Sequence, residues 1–297
     1  GLFNGRVNSK HLRPLLRFGA GWVVGMAAVV LLVNLDKLFL ARMVSVTSLA
    51  HYSVAFLFAN TATLFGSAMA QSMVPAFSQL SSPEKKGEFD ALFARAVRLN
   101  LIWVFPMVAF LFVIGRPFFT LWAGPEFGEE STLPFYILLV GLIFIIPSFV
   151  PYASIMAMGR TDKSAKLYWI ELLVYVAALI VLINYFGIAG AALAWTLRAL
   201  IETTGLFFIS RRLNKVTLAT NQKTSMLLLS LVVLTVPVLL SLVYQLGLVV
   251  SVSLTLICIA LYATIVWYKF MQTAERDWIA GRIVGFLGKS GLKRDYS

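Results

Sequence analysis

The chain has 297 residues, of which 60% are hydrophobic and 13% charged, with a mean hydropathy of +0.86. Soluble domains carry about a quarter charged residues, so this chain lacks the polar surface that keeps a globule in solution, which excludes a soluble enzyme. The excess of 25 Lys and Arg over 13 Asp and Glu gives +12. Those basic residues stand in short clusters between long apolar runs, not on a polar face interleaved with stacking aromatics, so nucleic acid is excluded as the partner. Composition predicts an all-α, polytopic membrane bundle.

A bilayer-spanning helix needs about 20 mostly apolar residues. Eight such segments follow in chain order: Phe18–Leu40, Ser48–Met73, Val97–Ile114, Leu133–Met156, Ser164–Phe186, Ile188–Ser210, Ser225–Tyr244 and Leu248–Trp267. Ser81-Ser82-Pro83, Gly124-Pro125, Gly159, Gly187 and Gly247 punctuate them. The predicted organisation is a cytoplasmic N-terminal segment (1–17), a six-helix lobe (18–215), an additional helix pair (216–268) and a cytoplasmic interfacial tail (269–297). The basic opening leads into an apolar run too long for a cleavable signal peptide. The chain opens on Gly1 rather than Met, so a fragment is expected.

Charge sets the orientation. All basic residues except Lys37, Arg42, Arg116 and Arg198 fall on alternate connections, the same side as both termini. The opposite side holds Arg42 and Arg116 beside Glu126, Glu129 and Glu130. By the positive-inside rule both termini are cytoplasmic, and the alternation fails for seven or nine spans. Two stretches have an amphipathic pattern: Phe89, Leu92, Phe93 and Val97 in one, and Trp278, Ile279, Ile283 and Phe286 in the other. Each fits an interfacial helix or an extension of the adjacent span.

The informative residues are the ionisable ones within the spans: Asp36, Lys37, Glu171, Arg198 and Glu202. Each costs at least ~2.5–3.5 kcal/mol if it faces lipid at mid-depth, so they should face the interior or each other. Arg198 and Glu202 lie one turn apart on one helix face, as a self-neutralising pair or a cationic site with a tuned carboxylate. Asp36 and Lys37 are adjacent, about 100° apart. They should pair poorly, with Lys37 snorkelling to the outer headgroups and Asp36 turned inward. Glu171 should pair with Lys166 or Arg198. Asn60, Thr61, Thr63, Ser67 and Gln71 dot the second span among small residues, a pattern of helix packing or of a solute pathway. Pro106, Pro147, Pro151 and Pro237 interrupt spans, and Pro147 and Pro151 free backbone carbonyls on one face, the pattern of a hinge.

There is no Gly-rich phosphate loop, metal-ligand spacing or nucleophile elbow. Cys258 is alone, and His11 and His51 cannot build a metal site by themselves. No enzyme activity, cofactor or metal is expected. No repeated selectivity element of a channel is visible, which leaves a carrier or a lipid-handling protein.

Four strings go further. Leu15–Ala41 (LLRFGAGWVVGMAAVVLLVNLDKLFLA), with its terminal Asp36-Lys37, resembles the helix that opens the second lobe of bacterial polysaccharide flippases. Pro117–Phe127 (PFFTLWAGPEF) resembles an outer loop of the same proteins, Met156–Leu167 (MAMGRTDKSAKL) their cytoplasmic turn, and Phe186–Leu197 (FGIAGAALAWTL) the start of the next span. These are O-antigen and exopolysaccharide exporters of the multidrug/oligosaccharidyl-lipid/polysaccharide (MOP) superfamily, and the match covers residues 11–215. The resemblance implies the second six-helix lobe of a two-lobed transporter plus two extra helices. The first lobe is absent, to be supplied in cis or by a partner chain.

What the resemblance implies about function is specific. The substrate would be an undecaprenyl-pyrophosphate-linked oligosaccharide, moved from the cytoplasmic to the outer leaflet of the bacterial inner membrane. Arg198 is the first candidate for its anionic headgroup, with Lys37 and Arg42 near the outer exit and Asn60 and Gln71 along the path. Asp36, Glu202 and Glu171 are candidates for ion coupling or charge pairing, and Pro147 and Pro151 for the hinge. Membrane lipids, a polysaccharide polymerase and a chain-length regulator are the implied partners. Two alternatives stay open: a multidrug or cation antiporter of the same superfamily, marked by a net acidic lumen, and a non-transporting scaffold of a polysaccharide assembly complex.

Overall fold

Hydrocarbon offers no partner for a backbone N–H or C=O, so a chain this apolar must satisfy them within helices. The computed structural model describes residues 9–214, 233–236, 238–240, 248–271 and 276, and among these there is no strand. The chain divides into two units, Gly1–Ala219 and Thr220–Ser297. The first contains α1 (Ser9–Met43), α2 (Val46–Thr61), α3 (Thr63–Gln79), α4 (Lys86–Ala123), the short α5 (Pro125–Glu130), α6 (Thr132–Ala157) and α7 (Thr161–Asn214).

Local chemistry explains the breaks. Ser45 caps α2, its hydroxyl accepting from the Ser48 amide at 3.0 Å. After α6 the chain turns through Gly159 at φ +67°, with Gly159 N–H on the Met156 carbonyl and Arg160 N–H on that of Ile155, the left-handed exit that favours glycine. α2 and α3 form one membrane-length segment, Val46–Gln79, with a one-residue disturbance at Ala62. Around it, Thr61 and Thr63 hydroxyls donate to carbonyls three residues back, each at 2.7 Å. Such back-bonding bends helices.

Six segments of the described chain are long and apolar enough to cross a membrane. They account for seven of the eight spans read from the sequence, because α7 contains two. Gly187 (φ 55°, ψ −130°) breaks it into arms of residues 161–186 and 188–214. A Cβ on Gly190 would meet the Leu182 carbonyl, Arg198 pairs with Glu171, and a Cβ on Gly205 would meet Leu167. Partner numbers rise on one arm as they fall on the other, so the arms run antiparallel. The seventh predicted span, Ser225–Tyr244, lies mostly outside the described residues; its 233–236 and 238–240 are helical. In the second unit, α8 (Leu248–Ile265) continues into a π-turn over Val266–Phe270. The amphipathic tail of residues 275–289 falls outside the described residues apart from Arg276.

The other amphipathic stretch is settled as an extension. α4 runs unbroken from Lys86, and Phe89 and Phe93 are buried with Phe77, Ala96 and Val150. Their stripe packs on α3 and α6 instead of lying among headgroups. Large apolar side chains such as Leu57, Leu64, Leu173 and Tyr185 stand exposed on the helices, as a membrane-embedded surface requires. Trp122, exposed in the last turn of α4, suits an interfacial belt.

One contact pattern ties α6 to the second arm of α7. Thr196, Thr203 and Ser210 recur every seven residues on the second arm of α7. Thr196 donates to the Ile137 carbonyl at 2.9 Å, Thr203 to that of Phe144 at 2.9 Å, and the Ser210 hydroxyl meets that of Ser154 at 2.8 Å. The edge of the Trp195 ring lies where a Cβ on Gly141 would stand, 2.5 Å away, so glycine is what lets the two helices close. Pro147 and Pro151 are buried inside a continuous α6, between the Phe144 and Ser154 ties.

Candidate functional site

All five intramembrane ionisable residues gather where α1, α2 and the two arms of α7 meet. Asp36 is fully buried. Its Oδ1 accepts from the Lys37 amide at 2.8 Å and faces the Lys37 ammonium at 3.3 Å, and its Oδ2 accepts from the Tyr52 hydroxyl at 2.7 Å. This corrects the expectation for Lys37. Its ammonium does not extend away from Asp36; the long side chain folds back, donating to the Val33 carbonyl at 2.6 Å and lying 4.0 Å from the Phe56 ring centroid. Four methylenes bridge the angle that separates the two residues on the helix. Asp36 turns inward as expected.

On α7, Arg198 stands between two carboxylates. Its Nη1 is 3.6 Å from Glu171 Oε1 and its Nη2 is 3.5 Å from Glu202 Oε2. These separations give strong attraction at low dielectric but are long for hydrogen bonds. The Tyr175 and Trp195 rings flank the guanidinium at 5.7 and 6.0 Å. Glu171 thus pairs with Arg198 and not with the exposed Lys166. Both Glu171 oxygens, the Tyr175 hydroxyl and Arg198 Nε are buried without a hydrogen-bond partner, so this group is paired by charge more than by directed bonds.

Aromatic rings join the two halves. Phe56, beside the Lys37 ammonium, meets the Trp195 ring edge-on at 5.9 Å, Trp195 and Tyr175 flank Arg198, and Tyr52 holds Asp36, so the α1 carboxylate and the α7 triad form one cluster. Counting Asp36, Glu171 and Glu202 against Lys37 and Arg198, its formal charge is −1. Two of its members, Tyr52 and Tyr175, are absent from the sequence-based candidates. A tyrosine in an apolar span has no local mark, and its partner lies on another helix.

The remaining candidates sit apart. Arg42 is exposed in the last turn of α1. Asn60 and Gln71 are exposed on α2 and α3 and make no hydrogen bond or ion pair with the cluster. They belong to a stripe, Asn60, Ser67, Gln71 and Ser78, at intervals of seven, four and seven. Asn100, missed from sequence, is fully buried in α4, bonded to the Ala96 carbonyl at 3.1 Å. Among the described residues no three His, Cys, Asp or Glu side chains are grouped to hold a metal ion.

Comparison with known proteins gives these features a context. Residues 3–132 match the family model for a polysaccharide biosynthesis protein. The chain is 22% identical over 208 residues to a Shigella flexneri protein assigned as an O-antigen transporter, covering 69% of this chain and 48% of that one. It is 26% identical over 150 residues to the Staphylococcus aureus capsular polysaccharide biosynthesis protein CapF, covering 50% and 38%. The chain therefore spans about half the length, or less, of the curated relatives it matches. In fold it is similar to the lipid II flippase MurJ in an inward closed conformation (TM-score 0.67, 13% identity, 90% of this chain and 57% of that one). It is also similar to an outward-facing multidrug resistance MATE family transporter of the MOP superfamily (0.61, 16%, 84% and 64%). The resemblance to polysaccharide flippases thus rests on both sequence and fold: residues 3–132 match the polysaccharide biosynthesis family, and the helices of this membrane protein have a MurJ- and MATE-like transporter fold.

Proposed function

We propose that the chain is one lobe of a flippase that carries a lipid-linked oligosaccharide, joined to an undecaprenyl pyrophosphate, from the cytoplasmic to the outer leaflet of a bacterial inner membrane. The observation that carries this reading is the stripe of Asn60, Ser67, Gln71 and Ser78. It runs ~27 Å along a membrane-length helix, at about 1.5 Å per residue, and all but Ser67 are exposed. Polar groups in a span are costly against lipid and mark solute paths or buried faces. A glycan, rich in hydroxyls, suits such a path while the prenyl chain stays in hydrocarbon.

In this reading a second lobe faces the stripe, in cis or on a partner chain, since rocking one bundle against another needs two. Lys37, at the half-exposed rim of the cluster, and Arg42 meet the anionic headgroup near the outer leaflet. Arg198 reaches that headgroup only in competition with Glu171 and Glu202. Pro147 and Pro151, inside the continuous α6, act as its hinge.

The test is substitution of Asn60, Ser67 and Gln71 together by Leu in the full-length protein. Surface polysaccharide should be lost, with the lipid-linked intermediate accumulating and protein abundance unchanged. Normal surface polysaccharide overturns the reading. The formal −1 of the cluster favours one second reading, cation antiport. It predicts that the same cells lose resistance to lipophilic cations when Glu171 and Glu202 are both changed to Gln, with polysaccharide unaffected.

A further inference from the structure

Asp36 has two kinds of partner. One is Lys37, whose side chain is 28% exposed and whose ammonium is shared among the Asp36 carboxylate, the Val33 carbonyl and the Phe56 ring. The other is Tyr52, fully buried in α2, with its single hydroxyl proton given to Asp36 Oδ2. The first partner stands at a rim and has a long, flexible stem; the second is fixed by packing.

The difference matters if Lys37 is to meet an anionic ligand. Its ammonium must then leave Asp36, and a buried carboxylate stripped of its cation is strongly disfavoured. The departure is tolerable only if the carboxylate keeps other donors. The Lys37 amide stays on Oδ1, and for Oδ2 the donor in the structure is Tyr52. We propose that Tyr52 is a positioning residue that holds Asp36 in place while Lys37 is released to a phosphate-class headgroup. This rests on the transporter reading above. Tyr52 also crosses from α2 to α1, sixteen residues away, so the same bond fixes the two helices at the point where Lys37 must swing.

The experiment compares Tyr52→Phe, Asp36→Asn, Lys37→Gln and the doubles Tyr52→Phe/Asp36→Asn and Tyr52→Phe/Lys37→Gln in the full-length protein. Surface polysaccharide is measured per unit of membrane-inserted protein, and inorganic pyrophosphate is titrated onto each purified variant. Tyr52→Phe should lower export about tenfold and weaken pyrophosphate binding similarly, the scale of one hydrogen bond to a buried charge. Neither effect should grow when Tyr52→Phe is added to Asp36→Asn or Lys37→Gln. Wild-type export by Tyr52→Phe while Asp36→Asn is impaired overturns the proposal and leaves the transporter reading standing. So do effects that multiply in the doubles, or an equal fall in abundance in the wild-type and Lys37→Gln backgrounds. Normal export by both Asp36→Asn and Lys37→Gln overturns the proposal together with the role of this site in transport.

Discussion

Glu171 is fully shielded and Glu202 is 13% exposed at the side chain, with one guanidinium, Arg198, between them. Breaking a buried pair costs on the order of 3–5 kcal/mol because it leaves uncompensated charge, whereas removing all the charges is far better tolerated. Arg198→Gln should therefore lower the thermal unfolding midpoint of the detergent-solubilised protein sharply. Changing Glu171, Arg198 and Glu202 together to Gln should restore most of it, and an equal loss in both would show that the pairing contributes nothing. Part of this was legible. Arg198 and Glu202 are four apart, a spacing that shares a helix face whatever the tertiary structure, and Glu171 had Arg198 among its possible partners. The Tyr52–Asp36 bond was not legible, because it depends on where two helices cross. Lys37 was misjudged because helical angle was weighed without the reach of its stem.

At the scale of elements, apolar runs and glycine punctuation located the spans, since hydrocarbon leaves a chain few ways to satisfy its backbone. Gly187 is the clearest case: it separates two predicted spans and supplies the positive φ of the turn between them. The sequence understated lengths. α4 begins at Lys86, eleven residues before its predicted span, because Phe89 and Phe93 find a core to pack on. The seven-residue repeat of Thr196, Thr203 and Ser210 was not singled out from the sequence, because only its acceptors on α6 give it meaning. Hydrogen bonds between membrane helices average about 0.6 kcal/mol and reach about 1.7. Replacing Thr196 and Thr203 by Val, and Ser210 by Ala, should thus cost roughly 2–5 kcal/mol in total. The check is stepwise loss of unfolding midpoint across single, double and triple variants. A flat response would mean that apolar packing alone joins α6 to α7. If Pro147 and Pro151 act as a hinge in transport, the triple variant should also change export rate, since those prolines lie between the Phe144 and Ser154 ties.

At the scale of the whole molecule, the distribution of the +12 along the chain predicts an orientation. Lys163 and Lys166 follow α6, whereas Glu126, Glu129 and Glu130 lie within α5, at the opposite end of that helix. Basic connections are retained in the cytoplasm, so α5 should be outside and the turn after α6 inside. The role proposed for Lys37 depends on this. Lys37 lies near the end of α1 that leads to Ser45 and α2, and His51 of α2 is 3.7 Å from Glu126, so the cluster's rim and α5 share one side. Cys258 is the only cysteine in these 297 residues, so Cys258→Ala, with any cysteine of the rest of the full-length protein also replaced, gives a clean reporter. Cysteine at position 130 should react with a membrane-impermeant maleimide in intact cells, and cysteine at position 166 only after the membrane is opened. The reverse pattern would put Lys37 at the cytoplasmic leaflet. The cation would then receive the headgroup at the start of the passage instead of releasing it at the end, and the order of events at Asp36 and Tyr52 would invert with it.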